Sequence, residues 1–343
     1  MVNHITENYF LRLSQILVLY DMFQTTFLDY LKTELPANTS TIEAVATALD
    51  ISYDAAHRRV SLKSKLSLDE SIALAKYYNL SLDRLFETTS TEFVTIEKTK
   101  HIENEAELQQ YFEDSYQSLL PLLQQKDSTL LYSAKDIPLF YNLNGDALSQ
   151  FKYYVWLKLL NPQLANKSFD NFAPSPSLII AGKQLGSLYS NLNTQEIWDI
   201  TTINSTLKQI HFYFQAGQVK SSTALQLCDL LQQLITSIFN KLIAEDHPFL
   251  LYYNELHLMN NNVLVSTPNN QLLYVPFTLL SYYKTEDKHT CKEAERFLTK
   301  QLQNSKLLNT AGEKERNSFF NKLYAKIGAL KQLIEATQLL DFE

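Results

Sequence analysis

The side chains best suited to chemistry crowd together near the start of this chain, in "LDISYDAAHRRVSLKSK", residues 49–65. Arg58, Arg59, Lys63 and Lys65 follow one another there with no carboxylate between them, although the chain carries a formal net charge of −7. A guanidinium fork matches the acceptor pair on a guanine edge, and lysines beyond a helix end suit phosphate oxygens. Helical period sorts the rest. Ala56 and Val60 face back towards Val45 and Leu49 of the preceding run "TIEAVATAL", while Asp54, His57, Arg58 and Ser61 point outward and Tyr53 and Arg59 flank the boundary.

The candidate contacts to double-stranded DNA are therefore Ser52, Tyr53, Asp54, His57, Arg58, Arg59, Ser61, Lys63 and Lys65. Arg58 can take guanine bidentately, and His57 and Tyr53 can donate to phosphate or to a base edge. Asp54 repels phosphate but can accept from a cytosine amine. Lys63 and Lys65 would position the unit without reading sequence. Against this stands the plainer possibility that an Arg–Arg pair is a solvated surface. Residues 36–87 hold six Lys or Arg against seven Asp or Glu, so any positive face is local.

Other chemistry is sparse. "AGKQLGS" (residues 181–187) lacks the spacing and the Lys-Ser/Thr end of a phosphate-binding loop. His289 and Cys291 sit two apart with no second pair, and neither Cys291 nor Cys228 belongs to a CxxC. No HExxH and no G-x-S-x-G is present, and Asp136 and Asp146 fall where a helix cap is the default role. The expectation is no enzyme, no catalytic residue, no cofactor and no metal. Tyr132, Tyr141, Tyr153, Tyr154, Tyr252, Tyr253 and Tyr274 suit either a ligand cavity or a core with hydroxyls at its margin. "EKER" (residues 313–316) suits a solvated helix start or a dimer contact.

The elements that must position the basic stretch are short helices. A helical run over residues 6–35 ends at Pro36, and residues 1–21 read either as an added helix or as an upstream start that the cell does not use. Ser40 or Thr41 can cap a helix over residues 42–49, and Asp50 sits at a sharp turn where Asp tolerates the left-handed conformation. Ser52 caps the next helix. Ser67 with Glu70 makes a capping box for residues 68–78, and Ser81 precedes a last short helix.

The features "IS…AA.RR" (Ile51, Ser52, Ala55, Ala56, Arg58, Arg59) and "LSLDE…SLD.LF" resemble a lambda-repressor-like (Xre-type) helix-turn-helix domain of bacterial regulators. In that group the DNA-binding unit precedes a longer, uncharacterised C-terminal domain, and "AKDIPLFY", "FKYYVWLK" and "EKERNSFF" are similar to it as well. The resemblance implies a transcriptional regulator with a five-helix DNA-binding head. Asp50 departs from the glycine usual at the turn, and "SLKSK" departs from a glycine-containing basic loop.

Composition fits an ordinary two-domain globular chain: 343 residues, 45% hydrophobic, 20% charged, with six glycines and nine prolines. The start lacks a basic segment and its apolar run is closed by Asp21, which makes a poor signal peptide or membrane span. A cytoplasmic protein without membrane contact is expected. The predicted architecture is mainly α, with a five-helix head and a larger α+β C-terminal domain, mostly helical with a small antiparallel sheet. Its parts are an N-terminal helical segment (1–35), a DNA-binding domain (36–88), a linker (89–104) with a strand at 93–96, and a sensing or oligomerisation domain (105–343). The apolar runs at residues 249–259, 263–267 and 271–283, split by "NNN" and "PNN", read as an antiparallel meander whose third strand lies at an edge or ends early at Pro276.

The functional expectation is a sequence-specific regulator that binds duplex DNA as a homodimer, with an unknown small-molecule or protein effector. The alternative is a protein-interaction adaptor whose helix-turn-helix no longer binds DNA.

Overall fold

The computed structural model describes residues 23–36, 39–86, 94–125, 127–164, 166–244, 248–256, 258–259 and 261–339. The added helix expected over residues 1–21 and the start of the linker lie outside the described residues. The chain divides into two compact units, Met1–Thr95 and Ile96–Glu343.

The described part of the first unit is helical. Helix α1 covers residues 23–34, followed by α2 (Thr41–Leu49), α3 (Tyr53–Val60), α4 (Leu68–Tyr77) and α5 (Leu82–Leu85). Phe27, Leu28, Leu31, Val45, Ala56, Leu74 and Ala75 form its core. The caps explain the boundaries. Ser52 accepts from the Ala55 amide, and Ser67 and Glu70 close a reciprocal capping box. Ser40 occupies the N-cap position of α2 without a side-chain bond. Asp50 ends α2 at φ 52°, ψ 49°, in the left-handed region.

The second unit wraps helices around a sheet. In chain order it contains β1 (Glu97–Lys98), α6 (Glu105–Leu119), β2 (Thr129–Ala134), α7 (Ala147–Leu160), α8 (Pro176–Ser190) and β3 (Thr194–Trp198). Then come α9 (Asn204–Gln215), α10 (Ser221–Ile243), β4 (Phe249–Tyr253), β5 (Val263–Ser266), β6 (Gln271–Pro276) and β7 (Tyr282–Thr285). Helix α11 (Lys288–Gln303), β8 (Lys306–Leu307) and α12 (Glu313–Leu339) complete it.

The sheet is larger than expected and is not purely antiparallel. Its eight strands run in the order β1-β7-β6-β5-β2-β3-β4-β8. At its centre β2, β3 and β4 are parallel, with Leu130 opposite Thr194 and Thr194 opposite Phe249. Parallel neighbours need long crossovers, here the pairs α7–α8 and α9–α10. The expected meander is corrected accordingly. Strands β5, β6 and β7 do form it, but β4 leaves to pair with β3 and β8. Strand β6 is internal and ends at Pro276, whose partner is Tyr282. The strand expected at 93–96 is instead β1, on β7.

Alternation along the strands sends side chains to two cores. Leu130, Tyr132, Ala134, Trp198 and Leu251 join helices α6 to α10 and α12 on one face. Leu131, Ile197, Leu264 and Leu273 meet Cys291 and Leu298 of α11 on the other. Most of the tyrosines singled out in the sequence serve the core: Tyr132, Tyr153, Tyr154 and Tyr253 are buried. The two glycines of "AGKQLGS" lie inside α8, where a Cβ on Gly182 would fall 2.2 Å from the Tyr153 hydroxyl. Close helix packing accounts for that glycine.

Candidate nucleic-acid interface

Helices α2 and α3 meet through Val45 and Ala56, both fully buried, with the left-handed Asp50 turning the chain between them. Burial of Ala56 sets the rotation of α3 about its axis. It leaves Tyr53, Asp54, His57 and Arg58 exposed along the helix, with Tyr53 at 54%. Ser61, Lys63 and Lys65 are exposed on the chain that leaves it. The Arg58 guanidinium and the Lys63 ammonium meet no hydrogen-bond or ion-pair partner among the described residues.

Arg59 behaves differently. Its Nε and Nη2 both donate to Glu70 Oε1, at 2.8 and 2.6 Å, and Nη1 donates to the Ala55 carbonyl at 3.1 Å. The two side chains are each 22% exposed. Glu70 spends its other oxygen on the Ser67 amide, at 2.9 Å. The hydrogen bond from Arg59 holds the Glu70 carboxyl below the usual glutamate range, and Glu70 in turn raises Arg59. The stretch free of carboxylates in sequence thus has one in space. Arg59 ties α3 to the start of α4, and of the two arginines it is Arg58 that faces outward.

Two hydroxyls expected among the contacts also have local duties. Ser52 caps α3, and Ser61 donates to the His57 carbonyl at 2.6 Å. A single φ-positive residue turns the chain after α3: Leu62, at φ 61°. The loop over residues 61–65 has no glycine to take that role.

Gln24 is the residue that sequence reasoning missed. It is 8% exposed, and from α1 its Nε2 donates to the carbonyls of Arg59 at 2.9 Å and Ser64 at 3.0 Å. Its Oε1 accepts from the Leu66 amide at 3.1 Å. One amide side chain so holds both ends of the basic loop. No local signal marks it, because its partners lie 35 to 42 positions away.

The second unit gathers titratable groups at the carboxyl ends of the parallel strands, each bonded within the fold. Asp199 Oδ2 accepts from the Leu258 amide at 2.6 Å, and the buried Lys152 donates to Gln209 at 2.8 Å and to Thr206 at 3.3 Å. Among the described residues no group of three or more His, Cys, Asp or Glu is placed to hold a metal ion. No described helix is long and apolar enough to cross a membrane. No protein-family model, curated protein or solved structure matches this chain.

Proposed function

We propose that this protein is a sequence-specific DNA-binding transcriptional regulator that acts as a dimer. In this proposal α1 to α5 form a lambda-repressor-like head, α3 enters the major groove, and the second unit serves self-association or effector sensing. The observation that carries it is the outward row Tyr53, His57 and Arg58, set opposite the buried Ala56 on a capped helix that follows a tight turn. Arg58 is the base-reading residue, Tyr53 and His57 contact base edge or phosphate, and Lys63 and Lys65 contact phosphate. Asp54 adds a contact to a cytosine amine. Arg59, Ser52 and Ser61 hold the shape of the reading surface. A single head of this size makes few contacts, so two heads on a palindromic site are needed for specific binding.

One observation favours a second reading. Glu70 neutralises Arg59, which leaves a thinner positive face than the sequence suggests. An adaptor that uses the same exposed surface to bind a protein partner would have that character.

Selection of fragmented genomic DNA by wild-type protein beside Arg58→Ala separates the two. A regulator enriches a short palindrome, loses it in Arg58→Ala, and binds more weakly as salt rises. Failure of the wild type to enrich any sequence, with no affinity for duplex at low salt, leaves the adaptor.

A further inference from the structure

The second unit contains a cleft of about 420 Å³ between α8 and α10, bordered also by Phe140, Tyr141, Leu143 and Asn144. Its polar lining is one-sided in charge. Lys183 and Lys241 border it with the hydroxyls of Ser187, Ser190 and Ser237 and the amide of Asn144, and no carboxylate is among its described lining residues. Phe140, Leu143, Leu234 and Ile238 supply an apolar wall. A cleft of this size with an apolar wall and a few convergent polar groups is the usual form of a small-molecule site.

Lys241 gives the cleft its chemistry. Its ammonium is shielded from solvent and none of its three N–H donors finds an acceptor among the described residues. It rests on the Phe249 ring, 4.6 Å from the centroid. Glu196, the carboxylate whose charge opposes that shielding, is already occupied. Glu196 Oε1 accepts from the hydroxyls of Tyr141 and Tyr189, and Oε2 from the Trp198 indole, each at 2.7 Å. Burial raises Glu196 above the ordinary glutamate value, opposed by those donors and by Lys241. The same burial lowers Lys241, with Glu196 opposing. A buried ammonium without an acceptor is costly, and a ligand oxygen would remove that cost. Lys241 is itself among the residues that line the cleft.

We propose that this cleft binds a small organic anion, a carboxylate or phosphate monoester on a compact apolar body, held between Lys241 at the inner end and Lys183 at the mouth. The apolar part lies on Phe140, Leu234 and Ile238, and the serine hydroxyls complete the anion's hydrogen bonds. Within the proposed regulator this ligand is the effector. Binding itself does not depend on that role, so it is measured on the full chain without DNA.

The test is titration calorimetry with phenyl phosphate and with benzoate, beside benzyl alcohol as the neutral control. One or both anions bind and the alcohol does not, and the two anions separate a phosphate from a carboxylate ligand. Lys183→Glu, at an exposed position, weakens binding by about tenfold or more. Ser187→Leu, also exposed, fills the mouth and abolishes it. Both keep the wild-type circular dichroism and unfolding midpoint. Lys241→Met also loses binding, but it changes a side chain packed on the buried Phe249 ring and can alter the unit's stability, so the exposed variants decide. The proposal is overturned if neither anion saturates, if benzyl alcohol binds as well as the anions, or if both exposed variants bind like the wild type. DNA selection remains a separate measurement, so loss of the effector site and loss of the regulator can be told apart.

Discussion

Adjacent arginines with the same side chain have different work in this fold. Arg58 points outward, whereas Arg59 is held by Glu70 and the Ala55 carbonyl. Replacing each alone separates the roles. Arg58→Ala is expected to cost DNA affinity about 1–3 kcal/mol with little change in stability. Arg59→Ala should destabilise the first unit by about 1–2 kcal/mol, because it removes a charge-assisted pair and strands part of Glu70. Calorimetric unfolding beside DNA binding reads both. The pair also gives an acid limit with a definite sign. Glu70 lies below its ordinary value of 4.5 in the fold, so it binds its proton less readily there than in the unfolded chain. Its contribution is fully present above that value and is lost as pH falls from 4.5 through the depressed one. Protection of the α3 and α4 amides, taken relative to the intrinsic exchange rate at each pH, should therefore fall below pH 4.5, and Glu70→Gln should be less protected at neutral pH and lose less on acidification.

At the scale of elements, the exit from α3 is strained. Leu62 adopts a left-handed backbone at φ 61°, which disfavours a Cβ, and its side chain is 38% exposed, so it repays little through packing. Leu62→Gly is expected to stabilise the unit by roughly 0.5 kcal/mol, the relief of strain outweighing the added freedom of the unfolded chain. A thermal melt with a raised midpoint and unchanged DNA binding is the expected outcome. A lowered midpoint would mean that Leu62 packs more usefully than its exposure indicates. Gln24 reinforces the same loop from α1, through three hydrogen bonds that a helical amphipathic pattern cannot reveal. The caps are different. Ser52, Ser67 and Glu70 act within three residues of their targets, and such signals are readable from sequence alone.

For the whole molecule, the proposed DNA binding is tested most fully by its salt dependence. Each phosphate neutralised releases counterions, so the slope of log affinity against log salt counts the contacts. Lys63→Ala should lower that slope by about one and weaken binding similarly on all sequences, unlike Arg58→Ala, which should relax preference at one position. A dimer should protect two half-sites about one helical turn apart. A single protected half-site at saturating protein would exclude paired heads.

The sequence by itself determined what is local. Helix limits from Pro36, the capping residues and the 3.6-residue period all act within a turn or two of chain. So does the end of β6 at Pro276, and the inward face of α3 at Ala56 follows from the helical period. The face of α3 that carries Arg58 was legible for the same reason. Tertiary structure alone decided what depends on distant partners. Strand β3 is a five-residue segment with a glutamate inside, and nothing local says that "TQEIW" will be central and buried. Glu196 is tolerated there because Tyr141, Tyr189 and Trp198 converge on it. The parallel pairing of β2, β3 and β4 joins residues 64 and 55 positions apart, and register across such crossovers is set by packing and not by turn residues. The same holds for the Arg59–Glu70 pair, the Gln24 clamp and the cleft with its enclosed lysine. Each is an arrangement of side chains whose sequence neighbours carry no trace of the contact.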